Sequence, residues 1–425
     1  MRKKTEIVGV VDFGSREIRV LIARQSPDGT ISVLGHGIAA AQGCVSQGVI
    51  QDRAAAQVAL KHALADAERE ARVRVPSLFC GVNGRKIETF IREGNVRVDR
   101  DVVEPRHMDE ARDIASRDIL AAGKKISSSV SAEEWFVDDM RVIDPIGIRG
   151  QVLKVRIHFA RLPSVIEDNI VACIESQSRE LEDLIFVPLA SSLGCLTPED
   201  MELGVGVLDL GRSTTGLAVY RDFRVLGSHC FEWGGYQITR DVAAGMQVSF
   251  EEADALVLEY GISDDFIREE FATGSVLERP DERSTHIKLK TSVPGAPSVV
   301  DRNELDIVIY ERAKELLVKV RQHLQARGLA KNLVRGVVLT GGASVIKNYT
   351  ALAEAVFQVP CRVGFPNSVD IRQEAVKSPA FSAGIGIVRH AFDYRAAAKN
   401  GHVEARGPIV AMSKRVGRFM KRYFL

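Results

Sequence analysis

Two apolar runs along the chain repeat one pattern: Val8-Gly9-Val10-Val11-Asp12-Phe13-Gly14-Ser15 returns as Val205-Gly206-Val207-Leu208-Asp209-Leu210-Gly211-Arg212. Each is apolar almost throughout, as a buried strand is, and each closes on an acid and a glycine before a second β-rich run. Both predict a tight hairpin. A third run, Gly336-Val337-Val338-Leu339-Thr340-Gly341-Gly342-Ala343-Ser344, predicts a strand, a Gly-Gly turn and a helix over 346–357. Between these runs the spacing turns helical at 53–72, 104–121, 163–178, 237–246, 250–260 and 302–325, with further strands at 78–82, 152–159 and 184–187.

These elements divide the chain. A first core over 1–84 and 161–200 is interrupted by short strands and one charged helix at 85–160, which predicts an inserted subdomain. A second core over 201–233 and 326–394 is interrupted in the same way by 234–325, where the Pro-, Asp- and Ser-rich stretch 278–301 predicts a hairpin or loop. Each half thus carries one Asp-x-Gly hairpin and one insert. At 425 residues and 45% hydrophobic, the chain is long and apolar enough for more than one core.

The hairpin tips are where chemistry can sit. A glycine there lets backbone N–H groups close on an anion, and a neighbouring carboxylate can hold a hydrated Mg²⁺ beside phosphate oxygens. One Asp-x-Gly turn is a common turn and says little by itself. The ordered set of hairpin, hairpin and Gly-Gly turn says much more.

At these residues the chain resembles the actin, Hsp70 and sugar-kinase superfamily: residues 12–16 look like its first phosphate loop, 209–215 its second, and Gly341-Gly342 its adenosine motif. Within it the chain is similar to the FtsA family of bacterial cell-division proteins. Gly81-Val82-Asn83-Gly84, Asp144-Pro145-Ile146-Gly147, Pro188-Leu189-Ala190-Ser191-Ser192 and the run from Gly234-Gly235-Tyr236 to Ala243 carry that narrower likeness in order. The resemblance implies an α/β, actin-like (ribonuclease H-like) duplicated two-lobe fold around a nucleotide cleft. It assigns ATP and Mg²⁺ as cofactors. Asp12, Gly14, Ser15 and Arg16 would face Asp209, Gly211, Thr214 and Thr215 across the phosphates, with Asp12 and Asp209 toward the metal. Gly341 and Gly342 would flank the adenosine, and Gly234 and Gly235 the ribose.

Two departures from the family pattern matter. Arg212 and Ser213 stand where the second loop has its last two glycines, and Val257 stands where a lysine is usual. An arginine can bring charge to a phosphate, but its Cβ also obstructs close backbone approach. Neither Ser191 nor Ser192 suits the role of a base for water. The sequence therefore assigns no catalytic residue and reads ATP as a conformational ligand, hydrolysed slowly at most.

Charge is nearly balanced, 57 Lys and Arg against 56 Asp and Glu, so nothing global favours nucleic acid. The six cysteines are scattered without metal or redox spacing and read as small apolar residues of a reducing compartment. No apolar run has the length of a membrane span or a signal sequence. The end of the chain is different. A Gly- and Pro-containing linker over 395–411 leads to 412–425, where Met412, Val416, Phe419, Met420, Tyr423 and Phe424 share one helical face and Lys414, Arg415, Arg418, Lys421 and Arg422 take the other. Such a helix partitions into an anionic bilayer surface. Gly417 lowers its helicity in water, so it is expected to fold on lipid. The resemblance adds the tubulin-like FtsZ as a partner, through Arg312 and Glu315 of the helix 302–325.

Together these readings predict an ATP-binding adaptor that self-associates beneath the inner membrane, attaches FtsZ to its cytoplasmic face at the division site and helps recruit other division proteins. The alternatives are a sugar- or acid-kinase-like phosphotransferase, a relative of the pilus-assembly protein PilM, and a cell-shape actin.

Overall fold

The computed structural model describes residues 5–84, 86–121, 129–273, 286–289 and 299–399. The chain opens with β1 (Glu6–Phe13), β2 (Glu17–Gln25) and β3 (Ile31–Ala40), an antiparallel meander in which Asp12 pairs with Arg19. The two-residue strands β4 (Val45–Ser46) and β5 (Val49–Ile50) form a small hairpin ahead of α1 (Arg53–Ala71). The Asp52 carboxylate caps this helix by accepting from the Ala55 N–H, and its Ala56, Leu60, Ala63 and Ala67 face is buried. β6 (Ser77–Val82) then lies parallel to β1, setting Gly81 beside Asp12.

The chain leaves this sheet for β7 (Glu88–Arg97), α2 (Pro105–Ala121), β8 (Ser129–Val137), β9 (Met140–Val142) and β10 (Val152–Arg161). These strands form their own four-stranded sheet in the order β7-β10-β8-β9, with a core that includes Val96, Met108, Trp135, Leu153 and Ile157. α3 (Ser164–Glu175) and β11 (Glu180–Phe186) return to the first sheet and complete the order β11-β6-β1-β2-β3.

The second half repeats the plan. After α4 (Val187–Cys195) and α5 (Pro198–Leu203) come β12 (Val205–Leu210), β13 (Thr215–Arg221) and β14 (Arg224–Phe231), again an antiparallel meander. The chain departs through α6 (Gly235–Met246), α7 (Phe250–Tyr260), α8 (Asp264–Thr273), the three-residue strands β15 (His286–Lys288) and β16 (Val299–Asp301), and α9 (Arg302–Ala326). β15 and β16 pair antiparallel, within the stretch read from the sequence as a hairpin or loop. β17 (Val337–Thr340), α10 (Tyr349–Phe357), β18 (Cys361–Val363) and α11 (Ser382–Lys399) close the fold. The second sheet runs β14-β13-β12-β17-β18, the same order as the first from meander to crossover strands.

Both cores are dense. Val8, Val11, Ile18, Leu60 and Leu78 in one half and Leu208, Leu305, Ile309, Leu317 and Leu352 in the other are fully buried, each worth about 1.5–3 kcal/mol relative to exposure. The halves join behind the hairpins where α4 crosses α11. A Cβ on Gly386 would lie 1.6 Å from the Ala190 carbonyl oxygen, so the two backbones touch there. The β7–β10 sheet docks on the second half. His158 Nε2 lies 2.8 Å from Ser228 Oγ, Thr89 Oγ1 donates to the Ser228 carbonyl at 2.6 Å, and Arg141 donates to the carbonyls of Asp222 and Phe223.

Two boundaries differ from the sequence reading. The helix after the Gly-Gly turn starts at Tyr349 instead of 346, because Asn348 takes a left-handed conformation (φ 61°) and Ser344 Oγ bonds back to the Gly341 carbonyl, holding the segment in turns. α11 continues to Lys399, past the expected end at 394, since Ala396-Ala397-Ala398-Lys399 are strong helix formers and the first glycine follows only at 401. At its far end Arg395 donates to the Ile7 carbonyl (2.7 Å) and to both oxygens of Glu182 (3.0 and 2.7 Å), with Ser77 Oγ at 3.5 Å. The membrane-facing residues read in the segment 412–425 lie outside the described residues. No helix among the described residues is long and apolar enough to cross a membrane.

Candidate functional site

The tips of the two meanders face one another across a cleft that opens to solvent. Asp12, Gly14, Ser15 and Arg16 line it from the first hairpin, Asp209, Gly211, Arg212 and Thr214 from the second, and Gly341 and Gly342 from the turn after β17. α6 adds Gly235 and Thr239, and α7 adds Asp254, Val257 and Leu258.

The tips touch directly. Ser15 Oγ and Ser213 Oγ are 2.5 Å apart, the Gln47 N–H donates to Ser213 Oγ at 2.9 Å, and Asn83 Nδ2 donates to Thr214 Oγ1 at 3.2 Å. Each bond spans the two halves, so the cleft floor is stitched by polar groups at the height of the glycines. Neutral hydrogen bonds of this kind contribute about 1 kcal/mol each, little enough for a ligand to displace.

Two of the carboxylates in the cleft stand at the ends of the first strands of the two meanders. Asp12 is shielded by burial, which raises its pKa, while the Arg19 guanidinium 3.9 Å away pulls it back down. Asp209 is 9% exposed and is pushed up to about 6, chiefly by burial and further by the charge of Asp12, against the hydrogen bond it accepts from Ser191 Oγ at 2.5 Å and the more distant Arg19. Two acids facing one space, Asp209 buried and Asp12 partly so, suit a cation shared with phosphate oxygens. A hydrated Mg²⁺ is such a cation, because it takes one or two carboxylates and keeps its waters.

Gly341 has φ 85°, and a Cβ there would lie 2.3 Å from Asp209 Oδ1 and 2.7 Å from the Leu210 carbonyl. Only glycine fits this left-handed turn against the acid. Gly234 packs as closely from behind, where a Cβ would lie 2.4 Å from the Gly211 carbonyl oxygen.

Not every residue singled out in the sequence lines the cleft. Thr215 is fully buried and donates to the Trp233 carbonyl at 2.7 Å, because side chains alternate along β13 and Thr214 takes the cleft side. Gly234 likewise supports the second hairpin from behind instead of facing the cavity. Arg312 and Glu315 lie well away, on α9, 2.7 Å from one another, and Arg312 also contacts Asp241 of α6. Sequence reasoning missed Arg19, Thr239 and Asp254 in the lining. A lone acid within a polar helix turn and an arginine in a strand carry no local signal. Asn83 and Gly48 could have been found, each lying in a Gly-containing turn.

Comparison with known proteins agrees with this architecture. Residues 206–386 match the family model described as cell division protein FtsA. The cell division protein FtsA of Neisseria meningitidis serogroup B is 27% identical, over 98% of this chain and 99% of the relative, and that of Escherichia coli K12 is 25% identical, over 98% and 96%. Among solved structures, a chain of the PilM-PilN type IV pilus biogenesis complex superposes with a TM-score of 0.60 (14% identity, covering 90% of this chain and 98% of that one). MreB 5 of Spiroplasma citri bound to AMPPNP does so with 0.55 (14% identity, 94% and 99%). At those identities the structures speak for the fold alone, and the fold they share is that of the actin-like proteins. By sequence, along nearly its whole length, the chain is similar to cell division protein FtsA.

Proposed function

We propose that this protein is an actin-like, ATP-binding cell-division adaptor that joins FtsZ to the cytoplasmic face of the inner membrane and helps recruit other division proteins. The observation that carries the reading is the single cleft lined by both hairpin tips and the Gly-Gly turn. Asp12 and Asp209 would hold Mg²⁺ through water, the backbone around Gly14, Ser15 and Gly211 would take the phosphates, and Gly341, Gly342 and Gly235 would bed the nucleoside. Mg²⁺ would neutralise the phosphates beside the two acids, and no step of turnover is assigned to any side chain. Ser191 donates to Asp209 and Ser192 to the Pro188 carbonyl, so both hydroxyls are committed. ATP is then a ligand that sets how the two halves close. MreB 5 of Spiroplasma citri, which shares the fold, is bound to AMPPNP, and this supports the same choice of ligand.

Equilibrium binding of ATP to the purified chain in Mg²⁺ tests the core of the reading, and absence of any measurable affinity would reject it. The basic amphipathic segment 412–425 would bind the bilayer, with self-association strengthening the attachment through several tails. Removing residues 414–425 is expected to abolish co-sedimentation with anionic liposomes. For FtsZ, the half-buried edge of α9 around Arg312 and Glu315 is the proposed surface. Arg312→Gln and Glu315→Gln are the variants of choice, because Arg312→Glu would set an acid against Asp241 and disturb the fold. Either is expected to weaken FtsZ capture with an unchanged melting temperature.

A further inference from the structure

One carboxylate in the cleft wall holds an arginine from each hairpin. Asp254, on α7, accepts from Arg212 Nη1 at 2.9 Å and lies 3.6 Å from Arg16 Nη1 through the same oxygen. Its other oxygen accepts from Thr239 Oγ1 of α6 at 2.6 Å, which fixes the orientation of the carboxylate. Arg16 belongs to the first hairpin and Arg212 to the second, and all four side chains line the cleft.

The charges explain why this matters. The lining carries three acids, Asp12, Asp209 and Asp254, and three arginines, Arg16, Arg19 and Arg212. Arg19 is committed to Glu17 at 2.7 Å and to Asp12. The arginines at the phosphate-facing tips are thus Arg16 and Arg212, and both rest on Asp254. Val257, one turn along α7, supplies no cation. The Arg212 main chain is held independently, its carbonyl accepting from the Tyr236 N–H at 2.6 Å, so its side chain can turn without moving the hairpin. A guanidinium pairs with a carboxylate or with a phosphate through the same fork of N–H groups.

We propose that Asp254 parks Arg16 and Arg212 against the cleft wall and that an entering polyphosphate takes both guanidiniums from it. Asp254 is then a competitor of the ligand, and Arg212, one of the residues that depart from the family pattern, is an anion ligand. This rests on the nucleotide reading above and adds the exchange that regulates it.

The test uses the full chain and calorimetric titration at low salt with two probes, ATP and inorganic tripolyphosphate. The second has no ribose and so isolates the phosphate exchange. Asp254→Asn is expected to bind tripolyphosphate about tenfold more tightly than the natural chain, and Arg212→Gly about tenfold more weakly, with Arg212→Lys in between. The gain from Asp254→Asn should shrink when Arg212 is already glycine, as coupled residues require. If ATP binds the natural chain while tripolyphosphate binds no variant, or binds all of them alike, the exchange is wrong and the nucleotide reading stands. If neither probe binds any variant, both fall together.

Discussion

The two halves share a strand plan and differ in the charge around their acids. Asp12 pairs in register with Gly81 of β6, and Asp209 with Thr340 of β17, so the carboxylates occupy equivalent places. Yet Asp12 has the Arg19 guanidinium beside it, whereas Asp209 has a serine hydroxyl and the like charge of Asp12. Backbone geometry is repeated and electrostatics is not. The second half carries the larger cost, a buried acid that holds its proton more tightly than in the unfolded chain, and a cation arriving in the cleft would relieve it.

The largest effect that separates the halves should come from Gly341→Ala. The residue after the paired position is Val82 in the first half, which accommodates a side chain in its core, while Gly341 needs a positive φ against the Asp209 carboxylate. Urea unfolding is expected to show a loss of about 3 kcal/mol. An unchanged midpoint would remove the turn from the reasons the second half is special.

Next comes Asp209→Asn. The folded pKa of about 6 lies above the ordinary carboxylate value, so the native state holds the proton more tightly than the unfolded chain, and stability falls as pH rises through that window. The amide should therefore stabilise the ligand-free protein by about 2 kcal/mol at pH 7.5, with the gain fading below pH 6. Asp12→Asn should show a smaller gain, because the Arg19 guanidinium already offsets part of the burial cost of that acid. Equal gains in melting temperature for the two substitutions would erase the contrast.

Ser191→Ala removes the hydroxyl donor to Asp209 and is expected to cost about 1–2 kcal/mol at neutral pH, measured by the same melts, and less once the acid is protonated. Arg212→Gly should change stability least, by under about 1 kcal/mol, since its pair with Asp254 is about a quarter exposed on both sides. A larger loss would make Arg212 a structural brace of the second hairpin.

Much of this architecture was legible in the chain because its signals are local. The hairpins announce themselves by apolar runs ending in Asp-x-Gly, and the long helices by their spacing. What escaped depends on distant partners. Asp254 meets Arg16 across a long stretch of intervening chain, and Arg19 meets Asp12 only once the meander is folded. The resemblance groups Thr215 with Thr214 in one phosphate loop, yet strand alternation sends the two side chains to opposite faces. The start of α10 at Tyr349 hinges on one asparagine in a left-handed turn, which composition does not announce.

The Arg395 anchorage has a mechanical consequence. Its guanidinium ties the end of α11 to Ile7, Ser77 and Glu182, one residue on each of three neighbouring strands, β1, β6 and β11. A pull on the chain beyond Lys399 is therefore delivered as shear across the first sheet, spread over several bonds at once. The second half meets α11 at its opposite end, where Thr340 Oγ1 lies 2.7 Å from Ser382 Oγ, and so stands further from that load.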